Sequence, residues 1–514
     1  MKKLIGFVTL LLVAGAGADR PNLVFLLTDD QCTYSLGCYG NEDVKTPNID
    51  GLARDGIVFD NHYDTTAICM ASRANIVTGM FEYKAGCNFE HGALVRAHWS
   101  KSYPMLLRKA GYRTAIAGKI GFEVAESPGG KGILPKDDFD VWGAGPGQTH
   151  FETRKNASMA EYADKYPHSS RSYGAFGRDF IEASASSGEP FCLSISFKAP
   201  HRPVTPDPVD DHVYAGKKFK KPANYGRKFG AHFSAQSKQG RQYDRFEGWN
   251  YDKAYDEVMA KYHQQIYAVD VAVGMIRNAL KANKVEKNTV VIFTSDNGFF
   301  CGSHGYGSKV LPYEESSRVP MIMYMPGHEN SGKQLRSNAL TGNVDFAPTL
   351  LSLAGVDIPA NMDGKSLLPL YENPEAVIHE SLPLINVWGP SACHSLAVVT
   401  RDFKYIFWNY GGQGFDPVEE LYHTRKDPLE LTNTVANPEY QAQLEKHRRT
   451  YDQYVDHWKS DGVKFHKYEA FGTIFDRTLS WSDKQVLMQQ KVESSSDKSK
   501  KKEAKRARKK GGER

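Results

Sequence analysis

The segment Ile68–Gly79, ICMASRANIVTG, places Cys69 at the expected start of a helix of small residues. Free backbone N–H groups and the positive end of the helix dipole would face Cys69. Arg73 adds the hydrogen-bond donors of its guanidinium group, so the segment predicts an anion site. A thiolate nucleophile would benefit from this setting. A passive buried thiol fits slightly better on physical grounds, because free cysteines are among the most buried residues.

A second group of residues could bind a metal ion, because its members follow the ends of two apolar runs. They are Asp29, Asp30, Asp296 and Asn297. A single Asp after a strand is most often a helix cap or a turn residue. Two such pairs favour a shared, oxygen-rich pocket suited to Ca²⁺ or Mg²⁺, provided that the strand ends converge. His201 follows a third run, which ends at Phe197.

Four short apolar runs predict the buried strands that would position these residues: Pro21–Thr28, Phe191–Phe197, Thr289–Ser295 and Val319–Met325. Amphipathic stretches such as Tyr262–Ala282 alternate with them. The pattern predicts an α/β fold with a mostly parallel central sheet covered by helices. Ligands of such sheets gather beyond the carboxyl ends of the strands.

The hydrophobic pattern of the sequence changes from about residue 376. His394–Trp408 alternates like a hairpin that turns near Asp402, and Gln441–Trp458 is typical of a late helix. These features predict a smaller C-terminal α+β domain with an antiparallel sheet. We therefore expect a catalytic domain over residues 19–375 and a C-terminal subdomain over residues 376–492.

The N-terminus reads as an export signal. Lys2 and Lys3 precede the apolar run Leu4–Val13 and the small residues Ala16-Gly17-Ala18, which predicts a cleavable signal peptide over residues 1–18. The apolar run is too short to span a bilayer, so we expect no transmembrane segment and a periplasmic or secreted protein.

The net charge of +5 for the 514 residues comes from the C-terminus. Lys498–Arg514 holds ten Lys or Arg and two Glu, a net +8, which leaves 5 − 8 = −3 for the rest. Residues 493–514 are predicted to be a disordered basic tail. A solubilising role is favoured over adhesion to an acidic polymer or surface, and no nucleic acid partner is expected.

The residues around Cys69 resemble a known family. C-M-A-S-R matches the C-x-[P/A]-S-R activation motif of type I sulfatases, members of the alkaline-phosphatase-like superfamily. Further blocks resemble sulfatases in the same order: PNLVFLLTDDQ, TPNIDGLARDGIVFDNHY, GYRTAIAGK, FKAPHRP, FTSDNG, GSHGYGSK, NVDFAPTLLSLAG and ELYHTRKDPLELTN. The resemblance covers most of the chain and implies hydrolysis of sulfate esters.

The resemblance also implies a cofactor set. A maturation enzyme would oxidise Cys69 to formylglycine before export, which leaves six of the seven cysteines as thiols. Ala71 stands where Pro is more frequent, so both oxidases and anaerobic radical maturases stay open as the enzyme that acts. One Ca²⁺ is expected, and its expected ligands are Asp29, Asp30, the modified Cys69, Asp296 and Asn297.

The implied catalytic roles follow the family's motifs. Arg73 matches the residue that holds the formylglycine hydrate, Lys119 and Lys309 match lysines that bind sulfate oxygens, and His201 matches a sulfate-contacting histidine. The leaving alcohol would take its proton from His201 or Lys309. His304 has a weaker match as a substrate contact. One hydroxyl of the hydrated aldehyde would attack sulfur, and the second would expel sulfate and restore the aldehyde.

One departure concerns the family pattern G-K-x-H, because Gly121 occupies the histidine position. One sulfate contact is then missing or comes from elsewhere, such as His91 or His98. Loss of a hydrogen bond to a charged group weakens binding by about 1.5–3 kcal/mol.

The substrate is suggested by nine Lys or Arg between Lys217 and Arg245, interleaved with aromatic residues. This segment is either a solvated loop or a wall that recognises sulfated sugars, which favours a sulfated polysaccharide or glycosaminoglycan. Further rim residues are expected to be His150, Trp388 and His394. A phosphodiesterase or phosphonate monoester hydrolase of the same superfamily, and a non-catalytic binder of sulfated glycans, remain alternatives.

Overall fold

The computed structural model describes residues 20–488, so the predicted signal peptide and the basic tail lie outside the described residues. The strands are β1 (Asn22–Thr28), β2 (Ile57–Phe59), β3 (His62–Tyr63), β4 (Leu94–Val95), β5 (Arg113–Lys119), β6 (Val124–Ala125), β7 (Val141–Gly145), β8 (Phe191–Ser196), β9 (Thr289–Ser295), β10 (Met321–Tyr324), β11 (Leu335–Ser337), β12 (Thr341–Gly342), β13 (Leu382–Asn386), β14 (Ser395–Val399), β15 (Lys404–Trp408) and β16 (Val418–Tyr422). The helices are α1 (Pro47–Asp55), α2 (Cys69–Thr78), α3 (Glu82–Ala85), α4 (Arg96–Trp99), α5 (Tyr103–Lys109), α6 (Ser169–Ser187), α7 (Arg241–Gly248), α8 (Tyr255–Ala282), α9 (Glu314–Ser317), α10 (Phe346–Leu353), α11 (Pro369–Glu372), α12 (Gln441–Asp461) and α13 (Tyr468–Ile474).

The central sheet has eight strands in the order β11-β2-β10-β9-β1-β8-β5-β7. Strands β9, β1, β8, β5 and β7 run parallel, whereas β10 is antiparallel to both of its neighbours. The predicted mostly parallel sheet is therefore confirmed. Each of the four predicted strands is present, with bounds that agree to within two residues.

The sheet is buried on both faces, which explains the continuous apolar runs. In β1, Val24 and Leu26 point into a core shared with α6 and α8. Leu23, Phe25 and Leu27 point into the opposite core, which α5 and α10 help to form. Because successive side chains of a strand alternate between faces, both faces of β1 have to be apolar.

The C-terminal region forms a second, antiparallel sheet in the order β13-β14-β15-β16. Strands β14 and β15 are the predicted hairpin, with its turn between Val399 and Lys404. Helix α12 contributes Tyr451 and Trp458 to the core of this region. The fold class predicted from the sequence is confirmed. Within residues 20–488, no helix is both long and apolar enough to cross a membrane.

Candidate active site

The acidic residues that follow β1 and β9 meet at one edge of the central sheet. β1 and β9 are parallel neighbours, so their carboxyl ends lie side by side. The backbone N–H of Asp30 donates to Asp296 Oδ1 (3.3 Å), and Asn297 Nδ2 donates to Asp30 Oδ1 (2.8 Å). The convergence on which the metal hypothesis depended is therefore present.

Cys69 lies at the same edge as the first residue of α2, and only 2% of it is exposed. Its Sγ lies 3.4 Å from Asp29 Oδ1 and accepts a hydrogen bond from Lys309 Nζ (2.6 Å). Burial and the charge of Asp29 raise the pKa of the Cys69 thiol to about 12, even though Lys119 and Lys309 oppose them. A thiolate nucleophile needs a lowered pKa, so the unmodified side chain is a poor nucleophile.

Two lysines neutralise the acids beside Cys69. Lys119, the last residue of β5, donates to Asp29 Oδ2, and Lys309 donates to Asp30 Oδ1. Burial alone would raise the pKa of Asp29, but the charges of Lys119, His201 and Lys309 outweigh it and hold this pKa well below its usual value. Asp29 is therefore a buried carboxylate that stays ionised.

Arg73, in the second turn of α2, contacts residues at the ends of three strands. Its Nε donates to Asp296 Oδ2 (2.7 Å), and its Nη1 donates to the Lys119 carbonyl (2.5 Å) and to Ser196 Oγ. Gly121 has a φ of +85°, and a Cβ there would lie 2.4 Å from Arg73 Cδ. The glycine at the family's histidine position is thus explained, because Arg73 fills the space of a larger side chain.

His91 and His98 do not supply the missing histidine. His91 places its two ring nitrogens 3.0 Å from the carbonyls of His466 and Val387, and His98 Nδ1 lies 3.2 Å from the carbonyl of Ala85. Both side chains are therefore engaged by backbone carbonyls, and neither lines the cavity that contains Cys69, so the structure does not support a sulfate contact from either of them.

Of the remaining predicted histidines, His201 belongs to the site. Its Nε2 lies 3.8 Å from Asp30 Oδ2, and it is partly exposed at the cavity described below. Burial lowers the pKa of His201, although the charges of Asp29 and Asp30 act against this. The ring therefore releases a proton more readily than an exposed histidine.

The structure does not bring the other three histidines to Cys69. His304 is buried against Glu315, with Nε2 3.5 Å from Glu315 Oε1 and Nδ1 3.0 Å from the Phe229 carbonyl. His394 is also buried, with Nε2 3.2 Å from the Gly389 carbonyl. His150 is exposed on the surface. These positions correct the expectation that they contact the substrate, because none of the three lines the cavity above Cys69.

The side chains at the strand ends fit a hard divalent cation. Ligand atoms of Asp29, Asp30, Cys69 and His201 all lie within 4.8 Å of one another. Asn297 Oδ1 is buried and accepts no hydrogen bond from the described residues, which is costly for a polar atom unless a ligand occupies it. Carboxylate and amide oxygens of this kind are the ligands that Ca²⁺ and Mg²⁺ prefer.

A cavity of about 680 Å³ opens above Cys69 and Lys309, within the size range of ligand pockets. Trp388 lies on its wall. Two cationic residues of this wall, Arg241 and Arg245, belong to the basic segment described above, whereas Arg202 and Trp249 were not expected from the sequence. Arg241 and Arg245 stand four residues apart and thus share a helix face.

The lysine cluster of the basic segment lies outside the cavity. Lys217 pairs with Asp43 and Lys218 with Asp256, both at 3.1 Å. Lys221 lies 4.2 Å from the ring centre of Tyr225. The first half of the segment is therefore held at the surface, and only its C-terminal end contributes to the cavity wall.

Comparison with known families decides the class. A family model described as Sulfatase matches residues 21–356, which is well over half of the chain. The chain belongs to the sulfatase family. A second model, described as N-sulphoglucosamine sulphohydrolase, C-terminal, matches residues 302–455. The protein is thus a sulfuric ester hydrolase, and the resemblance seen in its motifs is confirmed.

Individual relatives agree with this assignment. An N-acetylglucosamine-6-O-sulfatase of Bacteroides thetaiotaomicron is 29% identical, over 82% of this chain and 84% of that protein. An arylsulfatase of Clostridium perfringens is 28% identical, over 84% of this chain and 93% of that protein.

Solved structures share the fold. One is a complex with its substrate D-glucosamine-2-N,6-O-disulfate, with a TM-score of 0.70, 25% identity, and coverage of 87% of this chain and 99% of that chain. A phosphonate monoester hydrolase of Agrobacterium radiobacter has a TM-score of 0.68 at 22% identity, covering 86% of this chain and 96% of that chain. The second likeness shows the fold alone.

Proposed function

We propose that this sulfatase removes sulfate from a sulfated polysaccharide or glycosaminoglycan fragment, with Cys69 converted to formylglycine and one Ca²⁺ at the strand ends. The observation that carries the proposal is the setting of Cys69. Its side chain starts a helix, contacts Lys309 and Asp29, and forms the floor of a cavity large enough for a sugar.

The metal would be held by the four oxygen-bearing side chains at the edge of the sheet, which are Asp29, Asp30, Asp296 and Asn297. When bound there, Ca²⁺ supplies positive charge that stabilises the oxygens of the sulfate group. The buried and unpartnered Oδ1 of Asn297 supports this assignment. Lys119 and Lys309, which contact the acids in the protein alone, would then be released to bind sulfate oxygens.

The modification of Cys69 answers a chemical need. The thiol is buried, with a pKa raised to about 12, and is poorly suited to attack sulfur by itself. Formylglycine supplies a hydrated aldehyde, with one hydroxyl for attack and a second for release of sulfate. A maturation enzyme that recognises the C-x-A-x-R segment before export is therefore a required partner.

The surrounding side chains have separate tasks in this proposal. Arg73 orients the modified side chain from below, since it is fixed by Asp296 and the Lys119 carbonyl. His201 lies beside Asp30 at the edge of the cavity, where it would donate a proton to the leaving alcohol. Trp388 on the wall would contact the sugar.

The location and the substrate class are supported by the relatives. Those named for their substrates include the N-acetylglucosamine-6-O-sulfatase and an ulvan-active sulfatase of Formosa agariphila. Others are named extracellular sulfatases, such as the SULF-1 homolog of Drosophila melanogaster. Together with the predicted signal peptide, these names support export to the periplasm or the medium.

The experiment that tests the proposal measures sulfate released from sulfated monosaccharides and oligosaccharides by protein produced together with a formylglycine maturase. Each active substrate is compared with the phosphate ester of the same alcohol and with a phosphonate monoester. We expect the sulfate ester to have the higher kcat/KM, and Cys69→Ser to abolish its turnover. Faster hydrolysis of the phosphorus esters would favour the phosphonate hydrolase alternative instead.

A further inference from the structure

Three arginines line the cavity, and none of them is in direct contact with a carboxylate among residues 20–488. The charges of Glu90 and Asp30 act on Arg241 and Arg245 from beyond ion-pair distance. Among the described residues, Arg202 and Arg241 donate no side-chain hydrogen bond. Arg245 donates through Nη1 to Ser308 Oγ (2.7 Å). The one acidic residue that lines the cavity, Asp30, is already engaged by Lys309.

Several other partly buried arginines of the protein are paired with acids, although Arg113 contacts Ser184 Oγ and the ring of Phe180 instead. Arg171 contacts both Asp207 (2.6 Å) and Asp210 (2.8 Å), and Arg477 contacts Asp452 (2.8 Å). The cavity differs from these sites, because it gathers three arginines with no carboxylate of the described residues in direct contact with them. Glu90 and Asp30 act on Arg241 and Arg245 only through space, and the arginines repel one another, so a bound anion would lower the free energy of the cluster.

Aromatic contacts hold these guanidinium groups in place. Arg202 and Arg245 both contact Trp249, with Cζ atoms 4.4 and 4.3 Å from its ring centre. Arg241 Cζ lies 4.3 Å from the ring centre of Trp388. Cation–π contacts of this kind fix the cation but leave its N–H donors available to a ligand.

The arginines are close to the site of sulfate cleavage but distinct from it. Ser308, which accepts the hydrogen bond from Arg245, is followed directly by Lys309, whose Nζ contacts Cys69 Sγ. Arg241 stands one helical turn before Arg245 on α7. An anion held by these side chains would therefore belong to the same sugar as the cleaved ester, or to the adjacent one.

We infer that Arg202, Arg241 and Arg245 form a second anion subsite, which selects substrates that carry a further acidic group beside the sulfate ester that is cleaved. The inference rests on the proposed function, because a sulfated sugar is what presents the two groups together. The acidic group is a second sulfate or the carboxylate of a uronic acid, since both match a guanidinium fork.

The test is calorimetric binding to the Cys69→Ser protein, which cannot turn the ligands over. The ligands are the 6-O-sulfates of glucosamine and galactosamine, their 2-N,6-O-disulfates, and the unsaturated uronyl disaccharides of the two 6-O-sulfates. We expect at least one doubly charged ligand to bind about tenfold or more tightly than its singly sulfated counterpart. A gain with the disulfate identifies a second sulfate, and a gain with the uronyl disaccharide identifies a carboxylate.

The variant Arg241→Gln/Arg245→Gln should remove most of that gain. The matched control is Lys218→Gln/Lys220→Gln, which removes the same charge from the exposed half of the segment and should keep the gain. Equal affinities for singly and doubly charged ligands, or an undiminished gain in the arginine variant, would overturn the inference.

Failure of the proposed function would look different. A protein that releases no sulfate from any ester, but still binds doubly charged sugars more tightly, would contradict the proposed function and support the subsite. An active enzyme without that preference would contradict the subsite alone.

Discussion

The segment Gly302–Lys309 places its two cationic side chains in opposite settings. His304 points into a closed core, where both ring nitrogens meet protein partners: Glu315 on one side and the Phe229 carbonyl on the other. Lys309 points to the cavity floor, between Asp30 and Cys69. The two side chains are five residues apart and both are buried.

The difference between His304 and Lys309 lies in the hydrogen-bond partners of the groups around each charge. Protein groups meet both ring nitrogens of His304, and the unpartnered atoms beside it belong to its neighbours, such as Glu315 Oε2. In the cluster around Lys309, the expected metal ligand Asn297 itself keeps a buried oxygen, Oδ1, without a partner among the described residues. Buried polar atoms are nearly always hydrogen-bonded in folded proteins. Burial alone therefore does not mark a functional charge.

The largest expected effect concerns the acidic residues around Lys309, where the metal is proposed to bind. Asp296→Ala should lower sulfate release by at least about a thousandfold, because a bound metal contributes several kcal/mol of charge stabilisation. Metal content by plasma mass spectrometry should fall in parallel, and circular dichroism should show that the fold survives. Asp296→Asn, which keeps the size of the side chain, is the matched control for packing. A metal-free wild-type enzyme whose activity ignores chelators would contradict the metal assignment.

A smaller effect is expected for the buried pair of His304 and Glu315. Burial lowers the pKa of His304, but Glu315 outweighs it and the pKa ends above its ordinary value; the reverse balance leaves the pKa of Glu315 below its ordinary value. The histidine therefore stabilises the fold below pH 6.5 and loses this as pH rises through its folded pKa. The glutamate stabilises the fold above pH 4.5 and loses this as pH falls.

His304→Gln should thus lower the free energy of unfolding by about 3–5 kcal/mol, because it leaves Glu315 buried and unpaired. Urea denaturation should show the largest loss between pH 4.5 and 6.5, and a smaller one at alkaline pH. Sulfate release per folded molecule should fall far less than in Asp296→Ala. A loss of stability that does not vary with pH would show that the pair is not ionised.

The smallest effect is expected on the surface. Lys218 is 86% exposed and pairs with Asp256, and Lys220 is exposed as well. Lys218→Gln/Lys220→Gln should change the free energy of unfolding by less than about 0.5 kcal/mol, because exposed pairs contribute little. Its kcat/KM on a sulfated oligosaccharide should stay within about twofold of wild type. A much larger loss of kcat/KM would show that these lysines bind the substrate.

The sequence was sufficient to predict the floor of the site. Asp29 and Asp296 follow buried strands, and parallel neighbours end at the same edge of a sheet, so their convergence follows from two short apolar runs. Cys69 was placed at a helix start by the small residues after it. These features depend on local patterns, which the sequence displays directly.

The walls could not be predicted in the same way. The direction of His304 is decided by Glu315 and Phe229, and that of Arg241 by Trp388, partners that lie far away in the sequence. The close approach of Arg73 to Gly121, which leaves no room for a larger side chain, was not visible in the sequence either. Such choices follow from packing between distant segments, which residue types and spacing do not specify.

The most direct test of the account is the mass of the peptide that contains Cys69, measured in protein made with and without a formylglycine maturase, alongside sulfate release from the same preparations. We predict that the aldehyde is found with the maturase and that activity rises in proportion to its fraction. Full activity in protein that carries only unmodified Cys69 would contradict the account.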